Sequence, residues 1–217
     1  MSSIIDNNRD NLLVTHVNKL LDNAEFSRMA VGYFYLSGFE AIREKLHKIK
    51  KLRLIIGNRT NQQTLEELVK GRVSRELTET ELRKQRLQNN RQKQQLLQLT
   101  QNEYAEDMAL MEQSNDNENG LAALWQLIRD GRIDIRVFAK GTLHSKAYLF
   151  DLPETDYLEG IAIVGSSNLS ISGLSNNSEL NIKITNPNDY KEIKNWFDRL
   201  WEESEDFNEL FMNVVQE

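Results

Sequence analysis

The chain has no cysteine. That excludes disulfides, thiolate metal sites and a cysteine nucleophile, and it accords with a reducing compartment. Long apolar runs are missing too: nowhere do the roughly 18 apolar residues of a spanning helix follow one another. The N-terminus, MSSIIDNNRDNLL, lacks a basic segment followed by an apolar stretch, so neither export nor a membrane partner is expected and the cytosol is the expected location. Basic residues are in deficit, with a net charge of −6 and a pI near 5.3. This argues against a nucleic-acid binder that uses its whole surface, while leaving room for local patches. Arg132, Arg136, Lys140 and Lys146 stand against Asp130 and Asp134; they form either such a patch or the solvated side of an ordinary strand.

The 217 residues suffice for one well-buried domain with an elaboration. Leu12, Leu13, Val17, Leu20 and Leu21 have the spacing of an amphipathic helix within Asn11 to Phe26. Met29 to Leu36 is aromatic and β-branched, which predicts a buried strand. Ser37-Gly38-Phe39-Glu40 then has the form of a capping box for a helix running to about Lys48. Leu52 to Gly57 predicts a second buried strand, completing a strand-helix-strand unit of α/β type. From Asn61 to Asn119 glutamine, glutamate, arginine and leucine dominate and proline is absent, so a long helix or helical hairpin is expected as an insertion. Ser114 to Gly120 reads as a loop, and Leu121 to Arg129 as a short helix. Strands are expected over Ile133 to Phe138, Leu143 to Phe150, Ile161 to Val164 and Asn181 to Ile184, with a closing helix from Tyr190 to Glu203.

The second of these later strands carries chemistry. Alternation along Leu143 to Phe150 predicts that His144 and Lys146 share a face about 7 Å apart. An imidazole can attack phosphorus, and an ammonium can neutralise the non-bridging oxygens as charge builds, a division of labour that needs no metal. Gly165-Ser166-Ser167-Asn168 follows a strand, where a tight glycine turn offers N–H groups and polar side chains to the same phosphate.

His144-Ser145-Lys146-Ala147-Tyr148-Leu149-Phe150-Asp151 fits H-x-K-x(4)-D, and Gly165-Ser166-Ser167-Asn168 fits G-S-x-N. In these motifs the chain resembles the phospholipase D superfamily. The gap between Asp151 and Gly165 is about seven residues longer than that family's usual spacing, a length that the loop around Pro153 to Gly160 can absorb. The resemblance implies a mixed β-sheet flanked by helices over residues 1–217, with the insertion at 61–119, and a two-step reaction. His144 forms a phosphohistidine, a second histidine protonates the leaving group, and water releases the product. It also implies that Asn168 and Glu179 complete the pocket, Glu179 orienting a histidine or lysine, that Asp151 and Gly165 are supporting, and that no metal or cofactor takes part.

One chain carries one such motif. The other histidines, His16 and His47, fall on expected helices, where an ordinary surface role is the simpler reading. A C2 homodimer would bring two copies of His144 together. Val31 to Phe39, Leu52 to Asn58, the charged insertion and the Trp-Phe…Leu-Trp tail resemble, in addition, the phospholipase D-like domain that precedes bacterial Swi/Snf-type helicases in restriction and defence contexts. That implies DNA and a fused or associated motor as partners, and the chain as the N-terminal domain of a longer protein. No G-x-x-x-x-G-K-[S/T] phosphate loop occurs, so ATP use is not expected of these residues. A DNA nuclease, a catalytically weak nucleic-acid-binding or targeting module, and a lipid phosphodiesterase are the readings carried forward. The lipid reading lacks a membrane-surface helix rich in Trp and Lys.

Overall fold

A computed structural model describes residues 3–57, 90, 91, 93–102, 105, 115–153 and 158–216. Short β-branched and aromatic runs form the strands among them: β1 (Ser3–Ile5), β2 (Phe26–Val31), β3 (Lys51–Ile56), β4 (Ile133–Val137), β5 (Lys146–Asp151), β6 (Gly160–Gly165), β7 (Asn181–Ile184) and β8 (Glu205–Asp206). They join in one mixed sheet of order β1-β7-β6-β5-β2-β3-β4-β8. β2, β3 and β4 run parallel, and the remaining pairs are antiparallel.

Helices cover both faces, because alternate residues of the central strands are apolar on each side. Leu52, Leu54 and Ile56 of β3 and Tyr148 and Phe150 of β5 face helices α1 (Leu13–Leu21), α2 (Leu36–Leu46), α3 (Asn115–Arg129) and α5 (Asn208–Gln216). Ala30, Ile55, Leu149 and Ala162 face helix α4 (Pro187–Glu202), packed by Tyr190, Phe197 and Trp201. Asn186 caps α4, its side-chain oxygen accepting from the Asn188 and Asp189 N–H groups, with Pro187 at the first helical position, where a missing donor costs nothing. Arg53 and Arg136 stack over the Trp201 ring with their guanidinium carbons 5.2 and 4.5 Å from its centroid, which shields the open end of this smaller core.

Several boundaries differ from the sequence expectations. β2 starts at Phe26 and stops at Val31, because its ladder partner β3 ends at Ile56; Gly32 to Tyr35 then leave the sheet. The expected capping box does not form. Tyr35 is the N-cap of α2 and makes no side-chain cap bond, while the Ser37 hydroxyl accepts from the Ile171 N–H at 3.3 Å. β5 begins at Lys146 rather than Leu143, since Lys146 pairs with Gly165, the last residue of β6, and no ladder partner remains for the residues before it. The loop expected over Ser114 to Gly120 is helical from Asn115 onward. The apolar face of Leu124, Leu127 and Ile128 is buried on the core, and tertiary packing of this kind overrides local turn preference.

Of the insertion expected over 61–119, residues 90, 91, 93–102, 105 and 115–119 are helical, and the rest lies outside the described residues. The stretch 93–102 returns to the domain through buried Leu96 and a 2.5 Å ion pair from Lys93 to Glu205 of β8. The long gap between the motifs is a β5–β6 connection whose ends stay paired, Asp151 opposite Gly160, so added length does not displace either strand. Among the described residues no helix is long and apolar enough to cross a membrane.

Candidate active site

The carboxyl ends of β2 and β6 and the beginnings of β5 and β7 meet at one edge of the sheet, as the registers Ala30 to Ala147, Lys146 to Gly165 and Gly165 to Asn181 require. In sheets with parallel segments, binding crevices form at strand ends of this kind, where neighbouring connections diverge.

Gly32, just past β2, is the floor of the crevice. A Cβ there would lie 2.9 Å from the Leu143 carbonyl oxygen, 3.3 Å from Asn168 Oδ1 and 3.6 Å from Lys146 Nζ. Lys146 and Asn168 therefore flank the same backbone position, and only glycine leaves room for their close approach. Lys146 Nζ donates to the His144 carbonyl at 2.8 Å. Asn168 Oδ1 accepts from the Tyr33 N–H at 3.1 Å, which turns the amide nitrogen the other way. His144 lies in the extended lead-in to β5 rather than on the strand; its side chain is exposed.

The second half of the crevice is the turn from Gly165 to Asn168. Ser166 Oγ donates to Glu179 Oε2 and accepts from the Leu180 N–H at 3.1 Å, so it links the end of β6 to the start of β7. The other Glu179 oxygen accepts from Asn177 Nδ2 at 3.4 Å. Among the described residues Glu179 thus addresses Ser166 and Asn177, not a histidine or lysine. Gly165 admits no side chain: a Cβ would lie 2.3 Å from both Asn181 Oδ1 and the Leu180 carbonyl oxygen.

Asn181 was not singled out in the sequence. It is fully buried; its Nδ2 donates to Ser167 Oγ at 2.9 Å and its Oδ1 accepts from the Ser167 N–H at 3.4 Å. The Tyr148 hydroxyl donates to the Ser167 carbonyl at 2.8 Å. Burial, reinforced by the negative charge of Glu179, pushes the Tyr148 hydroxyl well above its ordinary pKa, so it remains a donor. These three contacts fix the turn that carries Ser166 and Asn168. An asparagine opening a predicted strand was the available signal, since buried polar residues must find partners.

Asp151 stands apart. It closes β5 at the opposite end from Lys146, and a separation of five residues along a strand also puts the two on opposite faces. Its carboxylate accepts from Arg28 and from the Tyr190 hydroxyl, and Asp198 of α4 lies 3.5 Å from Arg28 Nε. Burial, the Asp151 hydrogen bond and its charge together raise the Tyr190 pKa strongly, so Tyr190 donates and Asp151 stays an acceptor.

The basic stretch ahead of the motif is occupied structurally. Arg132 donates to the carbonyls of Leu46, His47 and Ile49, Arg136 donates to the Trp201 carbonyl, and Lys140 pairs with Glu203 at 3.5 Å. The other two histidines are also placed elsewhere. His47 follows the last residue of α2, the helix that carries the chain back from the crevice to the start of β3. His16 shares a 3.0 Å hydrogen bond with Asn11; burial first, then Lys183 and Lys19, hold its pKa below the ordinary value.

Comparison with solved structures places the same fold in NucT from Helicobacter pylori (14% identity, TM-score 0.52, covering 95% of this chain and 99% of that one). Nuc from Salmonella typhimurium, a phospholipase D family member, is similar over 95% of this chain and 98% of its own (13% identity, TM-score 0.50). The phosphatidylserine synthase of Haemophilus influenzae Rd KW20 is similar over 95% of this chain and 40% of its own (11% identity, TM-score 0.54). A search of curated proteins gives no match. The family model for the phospholipase D-like domain of cardiolipin synthase matches residues 17–201, a span that includes β2 to β7 and every crevice residue named above, and the chain belongs to that phospholipase D-like family.

Proposed function

We propose that this chain is a phosphodiesterase that cleaves DNA through a phosphohistidine intermediate, without a metal, at a site shared by two copies of the chain. One observation carries the reading: the sheet edge gathers one histidine, one lysine, Asn168 and the linked pair Ser166 and Glu179, while His16 and His47 lie elsewhere. That is the equipment for one nucleophile and its oxyanion contacts, and it leaves the leaving-group acid to be supplied.

In the first step the His144 imidazole attacks phosphorus and the P–O bond to the leaving oxygen breaks. That oxygen takes its proton from the second copy's His144. Water, deprotonated by the same second histidine, then attacks the phosphohistidine and frees His144. Lys146 and the Asn168 amide bear on the non-bridging oxygens, where charge accumulates. Chains with a single such unit recur on this fold, since Nuc and NucT are matched over nearly their whole length. Following the resemblance of the strand and tail segments, a helicase fused or associated with the chain would deliver the DNA.

The test is cleavage of labelled single- and double-stranded DNA by purified protein in EDTA, with His144→Ala alongside. EDTA-resistant cleavage lost in the variant is expected. Binding without cleavage by the wild type favours a targeting module instead, and cleavage abolished by EDTA refutes the histidine mechanism.

A further inference from the structure

An apolar row runs from the crevice to the rim of the sheet. Ile4 of β1 lies opposite Ile182 of β7, and Ile182 lies opposite Val164 of β6, so the three side chains share one face. Leu180 stands two residues before Ile182, a spacing that returns to that face. Ile4, Leu180 and Ile182 are 63%, 58% and 42% exposed. We propose that this row is the surface on which a second copy of the chain docks, bringing its own His144 to the site. The inference deepens the shared-site reading and rests on it for the identity of the partner.

The row lies on the face that α4 covers, since Val164 packs at the margin of the core built on Tyr190, Phe197 and Trp201. That helix crosses β6 at its far end, where a Cβ on Gly160 would come within 2.2 Å of the Tyr190 ring. It then runs to Trp201, beneath Arg53 of β3 and Arg136 of β4. Among the described residues the crevice end of β6 and β7, with β1 beside them, is therefore left without a second layer. The described part of the insertion packs on the other face, where Leu97 meets the larger core. Exposed aliphatic side chains scattered singly are ordinary, whereas three adjoining on a flat sheet face mark a surface that is covered in use.

Three observations choose a second copy as the cover. The row adjoins the site that lacks an acid: Leu180 exchanges hydrogen bonds with Ser166, its N–H on Oγ at 3.1 Å and its carbonyl on the Ser166 N–H at 3.2 Å. Two strand spacings, about 10 Å, separate β7 from β5, into which His144 leads. A row of aliphatic side chains is also complementary to itself, as a C2 contact between identical surfaces requires. Its chemistry, finally, does not suit the substrate: Ile4, Val164, Leu180 and Ile182 carry no charge, and affinity for DNA rests on lysine and arginine.

The test is sedimentation equilibrium over a range of concentrations, with EDTA-resistant DNA cleavage measured on the same samples. Wild type should have twice the 25.3 kDa chain mass. Ile182→Glu and Ile4→Glu should each weaken the dimer at least about 30-fold, the scale of one interface hot spot, and cleavage should fall with the dimer fraction. Cooperative thermal melts of both variants, and a dimeric Ile182→Val, separate a lost contact from a lost fold. Leu99→Glu, at an exposed aliphatic position off the row, should leave the dimer intact. The chain has no cysteine, so Ile4→Cys carries an acrylodan label at one place, and its emission should shift to the blue as the dimer forms.

A monomeric wild type, a dimer untouched by both glutamate variants, one broken equally by Leu99→Glu, or an emission unmoved by dimerisation overturns the surface. Flotation of a monomeric wild type with phosphatidylglycerol vesicles, lost in Ile182→Glu, would give the row to a membrane instead. A dimer that both glutamate variants dissociate, but that does not cleave DNA, upholds the surface and fails the nuclease; cleavage by a dimer indifferent to them does the reverse.

Discussion

Replacing Asn181 by alanine isolates what holds the turn from Gly165 to Asn168. The side chain has no exposed surface, and it makes two bonds to Ser167, at 2.9 Å to Oγ and 3.4 Å to the N–H. Its removal leaves a buried backbone donor and a buried hydroxyl without their partner, each costing about 1–3 kcal/mol. The longer bond is the weaker, so the expected loss is about 2–4 kcal/mol. For a domain of this size that is a fall in Tm of roughly 5–15 °C. Urea unfolding of Asn181→Ala, Ser167→Ala and the double variant gives the coupling directly. The two single losses should exceed the double by about 1 kcal/mol, because the second change removes a group the first has already orphaned. Activity should fall further than stability explains, since Ser166 and Asn168 ride on the turn. A loss below about 0.5 kcal/mol, the range of an ordinary surface change, or strict additivity, would refute the idea that Asn181 pins the turn.

Asp151→Asn should destabilise the fold by about 1–3 kcal/mol by weakening the charge-assisted bonds to Arg28 and Tyr190, yet leave cleavage by the folded protein within a few-fold of wild type; loss as severe as in Lys146→Met would place Asp151 in the chemistry. Because the folded-state pKa of His16 is depressed, the unfolded chain takes up the proton first as pH falls below about 6.5. Stability should be constant above that pH and decline beneath it, and urea midpoints for His16→Gln should show a shallower decline. For a shared site, a 1:1 mixture of wild type and His144→Ala, exchanged to equilibrium, should retain about one quarter of the wild-type specific activity, the fraction of unmixed wild-type C2 pairs; one half would mean that each copy works alone.

Most of the fold is legible because hydrophobic period and length carry it. The β2-α2-β3 unit, the four later strands β4 to β7 and α4 all announce themselves through buried runs such as Leu52 to Ile56 and the spacing of Tyr190, Phe197 and Trp201. What escapes is set by partners distant in sequence. β1 exists because Ile4 meets Ile182, and β8 because Glu205 meets Val137; neither run is long enough to declare itself. The Ser37 capping box fails for a related reason. Backbone around Tyr35 is claimed by the Leu169 carbonyl, and the helix starts one residue before the serine that would have capped it.

At the site, the motifs bring the chain positions together but not the contacts that make them work. H-x-K-x(4)-D suggests a unit, yet strand parity alone divides it: residues 146 and 151 differ by an odd number and cannot share a face. G-S-x-N looks like three ligands on a turn, whereas Gly165 is there because Asn181 and Leu180 occupy the space its side chain would need. The asparagine that excludes that side chain also holds Ser167, so one residue outside both motifs sets the glycine and the orientation of the serine and asparagine around it. Glu179 shows the same dependence in reverse: its partners are Ser166 and Asn177, so under the proposed shared site it would face a histidine only if an interface brings a second copy's His144 to this edge. Asn181→Ala should therefore weaken every function of the turn together, while Glu179→Gln, which keeps an amide oxygen to accept from Ser166, should weaken the steps that would need a second copy more than it weakens the turn.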